Sequence, residues 1–182
     1  ELKSARSNAS SMLTLFTKAP LPKKANSVLL EKFGYLSAKG NGKKELHTTA
    51  KATGFNTLKG NTGFKINANT ERLELINENN EVLGYWGKES LKKSFERKLP
   101  KILFVKAQSK GIGSNEEFWY DEAFVLSGFD FENFVKQIEQ GLIAVDIRIG
   151  QYSDGKTHDH GTGFRASPKK LELCFKHRKK VM

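Results

Sequence analysis

The sequence predicts a mixed α/β or α+β fold, with many strands and few helices around a sheet. Three observations point there. Residues 145–149 alternate, with Asp146 and Arg148 on one side of a strand and Val145, Ile147 and Ile149 on the other. Residues 72–76 and 82–86 flank Asn77-Glu78-Asn79-Asn80, a hairpin signal. Residues 131–140 carry an apolar stripe at helical spacing (Phe131, Phe134, Val135, Ile138, then Leu142), which reads as one helix face packed on a core.

The elements follow in chain order. Residues 1–6 alternate and predict a short strand ending at a Ser/Asn turn, and residues 12–17 form a second apolar stretch stopped by Ala19-Pro20-Leu21-Pro22. Residues 27–33 predict a short helix capped by Asn26 or Ser27. Lys39-Gly40-Asn41-Gly42-Lys43-Lys44 is a basic turn leading into a Thr-rich strand over 46–52. After the hairpin, residues 88–98 have helical character and stop before Pro100. Ile102-Leu103-Phe104-Val105 marks a strand over 101–108, and 118–126 marks another beyond a Gly-rich break. Asp130 is placed to cap the 131–140 helix and Gly141 to end it. A long loop after Gly150 and a basic segment over 168–180 complete the chain.

Composition narrows the partners. The 182 residues carry a formal net charge of +11, and a polyanion is the simplest complement; nucleic acid is the most abundant one. Basic pairs recur along the chain, from Lys23-Lys24 to His177-Arg178-Lys179-Lys180, as suits a cleft that meets a phosphate backbone. No apolar run approaches the roughly 18 residues of a membrane span. The single cysteine, Cys174, excludes an internal disulfide and fits a reducing cytosol. Its apolar neighbours predict a buried filler rather than a nucleophile.

Two constellations carry chemistry. Glu1 and Lys3 share a strand face, and a carboxylate beside an ammonium suits metal-assisted phosphodiester hydrolysis. A lone Glu-x-Lys is weak evidence, and a single carboxylate is a poor magnesium site. The second constellation is denser: Asp146 and Arg148, then His158-Asp159-His160-Gly161-Thr162-Gly163-Phe164-Arg165. Phe164 is placed to anchor this run so that Arg165 projects back. Arginine can donate twice to guanine, histidine can meet a base edge through either nitrogen, and aspartate can accept from cytosine. The same residues admit two other readings: a transition-metal site built from His158, His160, Asp159 and Asp146, or a solvated polar loop in which Asp159 orients a histidine.

The run from Asp146 to Gly150, followed by His158 to Arg165, closely resembles the MvaI/BcnI restriction endonucleases. The opening, Glu1-Leu2-Lys3-Ser4-Ala5-Arg6 and then Met12-Leu13-Thr14-Leu15-Phe16-Thr17, resembles the second half of that family's catalytic core. The family is similar in fold to the mismatch-repair nickase MutH. The resemblance implies a PD-(D/E)xK core with a β-rich DNA-recognition lobe, residues 1–130 supplying mainly the catalytic core and cleft and 131–182 the recognition lobe. It implies Mg²⁺-dependent hydrolysis of double-stranded DNA at a short C/G-rich site by a monomer. A cognate methyltransferase is the expected genetic partner and a prokaryotic cytoplasm the expected location. Glu1 and Lys3 fall on the family's catalytic Glu and Lys, with Glu1 as metal ligand. Asp146, Arg148, His158, Asp159, His160 and Arg165 fall on its base-reading residues, and the 17–18 and 39–44 turns are further candidates to approach DNA. The family's preceding Asp has no counterpart, so the expectation is a chain lacking its N-terminus and cleaving weakly at most. The rival readings are a partner-dependent MutH-like nickase, a DNA-binding module without activity, and an RNA-binding protein.

Overall fold

A computed structural model describes residues 12–182. The predicted strand over residues 1–6, with Glu1 and Lys3 on it, lies outside the described residues.

The central sheet has six strands, all paired antiparallel. They are β1 (Leu13–Thr17), β2 (Tyr35–Leu36), β3 (Lys44–Ala50), β11 (Ile143–Gln151), β12 (Thr157–Asp159) and β13 (Gly163–Ala166). The order is β1-β13-β11-β3-β2, with β12 paired to the end of β11. The sheet therefore joins the beginning and the end of the chain. Between them run β4 (Thr57–Leu58) and β5 (Asn61–Thr62), then a meander of β6 (Lys65–Ala68), β7 (Arg72–Ile76) and β8 (Val82–Gly87). A third sheet, ordered β14-β10-β9, is built from β9 (Lys101–Lys110), β10 (Glu117–Phe129) and β14 (Phe175–Lys180). The helices described are α1 (Ala25–Phe33), α2 (Lys88–Lys98) and α3 (Phe131–Glu139).

Alternation decides which face of the central sheet is buried. Val145 pairs with Phe164, and Phe16 also pairs with Phe164, so all three share a face with Ile147 and Ile149. That face is closed by aromatic rings: Phe164 stacks on Phe16 at 4.7 Å and meets Phe134 of α3 at 5.8 Å and Trp86 of β8 at 5.4 Å. Phe95 of α2 stacks on Phe129 of β10 at 4.1 Å and touches Phe16, which carries the same core into the third sheet. Each such ring contributes about 2–3 kcal/mol of burial, so one continuous core holds the sheets together.

The mixed class with a β-rich body is as the sequence predicts, and several elements match closely. The hairpin β7–β8 and helix α2 fall where expected. Asp130 caps α3 by accepting a hydrogen bond from the Asn133 amide at 3.0 Å, and Gly141 leaves the helix with φ +70°.

Two expectations are corrected. Helix α1 starts at Ala25 and has no side-chain cap; Asn26 sits inside it and donates instead to Asp159 at 3.2 Å. The stretch after Gly150 is not one long loop. Tyr152 and Lys156 close a turn over Asp154-Gly155, which folds β12 back on β11, and the Asp-Gly pair is itself a hairpin signal. Gly163–Ala166 is a strand between β1 and β11. The strand expected over 101–108 forms as β9, at the edge of its sheet, with Leu103 65% exposed.

Candidate nucleic-acid interface

The outward face of β11 is set by the same alternation that buries its other side. Asp146 and Arg148 project from it, and their cross-strand neighbours on β3 are Thr49 and His47. Arg165 projects from β13 on this face because Phe164 before it is fully buried.

Asp146 is the hub. Its Oδ2 accepts from Arg148 Nε at 3.0 Å and from an Arg165 terminal nitrogen at 3.0 Å, and its Oδ1 accepts from the Thr49 hydroxyl at 3.3 Å. Its side chain is 13% exposed, against 30% for Arg165 and 54% for Arg148. The two arginines are therefore held differently. Arg165 also donates to the Met12 carbonyl at 3.1 Å, while its Nε is buried with no partner among the described residues. Arg148 spends only Nε on Asp146, and its terminal nitrogens bond to no described residue.

The histidines form a second group. β12 lies beside β11 so that His158 faces Gly150, and the His160 amide donates to the Arg148 carbonyl at 2.8 Å. Both imidazoles lie over Gly150: a Cβ there would meet His160 Nε2 at 2.8 Å and His158 Nε2 at 3.3 Å. Only glycine leaves that space. The rings of His158 and His160 meet edge to face at 3.9 Å, Tyr152 stacks on His158 at 4.2 Å, and His47 approaches His160 at 6.2 Å. Partial burial holds the His160 pKa below its usual value, and the positive fields of His158, His47 and Lys39 reinforce this against an opposing pull from Asp159. Lys39 belongs to the basic 39–44 turn, so that turn stands near the histidines.

Asp159 points the other way. Its Oδ1 accepts from the amides of Gly161 and Thr162, each at 2.7 Å, and from the Thr162 hydroxyl at 3.2 Å; Oδ2 accepts from Asn26. The carboxylate is thus spent on shaping the 159–162 turn and tying it to α1. The 17–18 turn is fastened to the same place, since the Lys18 amide donates to the Thr162 carbonyl at 2.9 Å.

Of the residues expected at the site, the structure brings Asp146, Arg148 and Arg165 together around one carboxylate. It brings His158 and His160 together over Gly150 and turns Asp159 into the supporting loop. Glu1 and Lys3 lie outside the described residues. Among the described residues no three His, Cys, Asp or Glu side chains converge where a metal ion would sit. The transition-metal reading of His158, His160, Asp159 and Asp146 fails for a physical reason: Asp146 is neutralised by two arginines and Asp159 faces away from the rings. His47, Thr49 and Tyr152 are not among the site residues the sequence predicts, and Gly150 enters there only as the end of the Asp146-to-Gly150 run. His47 and Thr49 alternate on a Thr-rich strand, but which strand they pair with is not a local property. Cys174 is buried; burial and the nearby Asp130 carboxylate push its thiol up to about 12, so it is a core residue without thiolate character. No helix among the described residues is long and apolar enough to cross a membrane.

The architecture is that of restriction endonucleases. It is similar to the solved structure of restriction endonuclease MvaI in the absence of DNA, with 33% identity, a TM-score of 0.72, and coverage of 96% of this chain and 75% of that one. It is also similar to the MvaI–cognate DNA substrate complex, with 32% identity, a TM-score of 0.69, and coverage of 98% and 76%. The MvaI/BcnI restriction endonuclease family model matches residues 1–175. The chain belongs to the MvaI/BcnI restriction endonuclease family. No curated protein sequence matches it.

Proposed function

We propose that this chain is part of a type II restriction endonuclease that hydrolyses double-stranded DNA at a short C/G-rich site. The observation that carries the reading is the convergence of Arg148, Arg165, His158 and His160 on one outward sheet face, with Asp146 fixing the arginines. Arg148 offers two unspent terminal nitrogens on a planar fork, the pattern that meets O6 and N7 of guanine. The histidine edges offer further donors or acceptors. Asp146 plays the fixing role by its two ion pairs, and Asp159 acts at one remove by shaping the turn that delivers Arg165.

For cleavage we propose Glu1 and Lys3 as the catalytic pair, with Mg²⁺ as the cofactor and Glu1 among its ligands. A carboxylate is the donor type that magnesium prefers. Bound there, the ion would supply charge neutralisation at the scissile phosphate and a more acidic water. We further propose a monomer acting in a prokaryotic cytoplasm beside a cognate methyltransferase, with the recognition lobe centred on residues 131–182.

The test is a digest of unmethylated plasmid by the full natural gene product with Mg²⁺. Discrete fragments, lost on Glu1→Ala or Lys3→Ala and lost or re-sited on Arg148→Ala, are expected. Intact plasmid together with tight duplex binding would replace the endonuclease by a binding module or a partner-dependent nickase.

A further inference from the structure

We propose that one face of the β9–β10–β14 sheet is a second duplex-DNA contact, separate from the polar face of the central sheet. This rests on the duplex-DNA reading above. The two faces of this sheet differ sharply. On one, cations are already compensated: Glu122 accepts from Lys180 at 3.1 Å and Lys106 at 3.3 Å, and Glu172 pairs with Arg178 at 2.9 Å. The Arg178 guanidinium also covers the Phe124 ring at 3.8 Å. That face is closed on itself.

The register defines the other face. Lys101, Leu103, Val105 and Ala107 alternate along β9, opposite Ser127, Val125, Ala123 and Tyr120, with Lys179 beside Val125. Phe118 follows Tyr120 on the same side. No position of this face holds an acidic residue, and neither Lys101 nor Lys179 has an ion-pair partner among the described residues. Yet large apolar groups stand open on it: Leu103 is 65% exposed, Tyr120 64% and Phe118 49%. Beyond Lys106 and Glu122 the hairpin is a bare two-stranded ribbon. From Lys101 to the row of Phe118 the face runs about 26 Å, the rise of about eight base pairs.

Uncompensated cations beside exposed rings complement a surface that is anionic outside and apolar within. Duplex DNA is such a surface, with phosphates for Lys101 and Lys179 and sugar or base edges for Phe118 and Tyr120. A two-stranded ribbon is also narrow enough to enter the major groove. A second copy of this chain fits less well. A two-fold interface would set a face carrying only positive charge against itself.

The experiment is fluorescence anisotropy of the chain with a labelled random-sequence duplex over a range of salt. The paired change Lys101→Gln with Lys179→Gln is expected to make the plot of log affinity against log salt shallower by about 2, at about 0.9 per phosphate contact. The paired change Phe118→Ser with Tyr120→Ser is expected to weaken binding about tenfold with the slope unchanged. In the unmodified chain, duplex should protect Tyr120 and Phe118 from hydroxyl-radical oxidation, a readout that needs no variant to fold. Duplex binding with neither slope change nor protection would overturn this contact and leave the endonuclease reading intact. A chain that binds no duplex overturns both. Variants that instead abolish self-association, or a face that prefers phosphatidylserine vesicles to DNA, would also overturn the proposal.

Discussion

Asp146 bonds two arginines at the same distance, 3.0 Å, yet the two pairs should differ in worth. The perturbation is a pair of double-mutant cycles, Asp146→Ala with Arg165→Ala and Asp146→Ala with Arg148→Ala. Arg165 is 30% exposed and has a buried Nε without a partner, so removing the carboxylate strands a guanidinium that water reaches poorly. A hydrogen bond to a charged group in such a setting is worth about 1.5–3 kcal/mol. Arg148 is 54% exposed, and exposed pairs couple by about 0.2–1 kcal/mol because water and salt replace the partner. The expected couplings are therefore about 2 kcal/mol for Asp146–Arg165 and less than about 1 kcal/mol for Asp146–Arg148. Urea denaturation of the single and double variants measures both. Repeating it at high salt should erase the second coupling and spare most of the first. Equal couplings, or the reverse order, would refute the assignment of Arg165 as the packed partner and Arg148 as the free one.

Other consequences are as direct. Asp159→Ala should destabilise the chain by about 2–4 kcal/mol, because four hydrogen-bond donors lose their acceptor. Asp159→Asn should cost about half as much, since one oxygen remains and the unpartnered Asn26 oxygen can turn to meet the new amide; thermal denaturation checks the order. Gly150→Ala puts a methyl group 2.8 Å from His160 Nε2, so it should shift the imidazole NMR signals of both histidines. It should also weaken duplex binding about tenfold, equivalent to about 1.4 kcal/mol. Native His160 binds its proton less readily than the unfolded chain does, whose imidazole titrates near 6.5. Stability should be full above that value and decline as pH falls from 6.5 through the native pKa, because the unfolded state takes up the proton first. His160→Gln should flatten that decline in pH-dependent melting.

Much of the fold was legible because it rests on local rules. The period-2 pattern of residues 145–149 placed Asp146 and Arg148 on one face. The helical stripe with Asp130 before it and Gly141 after it placed α3, and Pro100 bounded α2. Where the structure departs from local rules, a partner distant in sequence takes over. Asn26 looked like a cap but is held by Asp159, 133 residues away. The exposure of Leu103 is likewise decided at a distance, because β9 lies at the edge of a sheet whose far face has no covering layer among the described residues.

The sequence by itself determined the periodicities, the turn and cap chemistry, and the His158-to-Arg165 motif that points to the family. Only the tertiary structure decided which of those polar residues act on the outward face and which support it. Arg165 and Asp159 sit in the same short motif, yet one turns onto Asp146 and the other into α1. His47 lies more than a hundred residues from His160 in the chain yet close to it in space. The reason is physical: alternation specifies which side of its own strand a residue takes, whereas strand order specifies what stands opposite. In this sheet the order is set by burying Phe16, Val145 and Phe164 under one aromatic core assembled from segments more than a hundred residues apart.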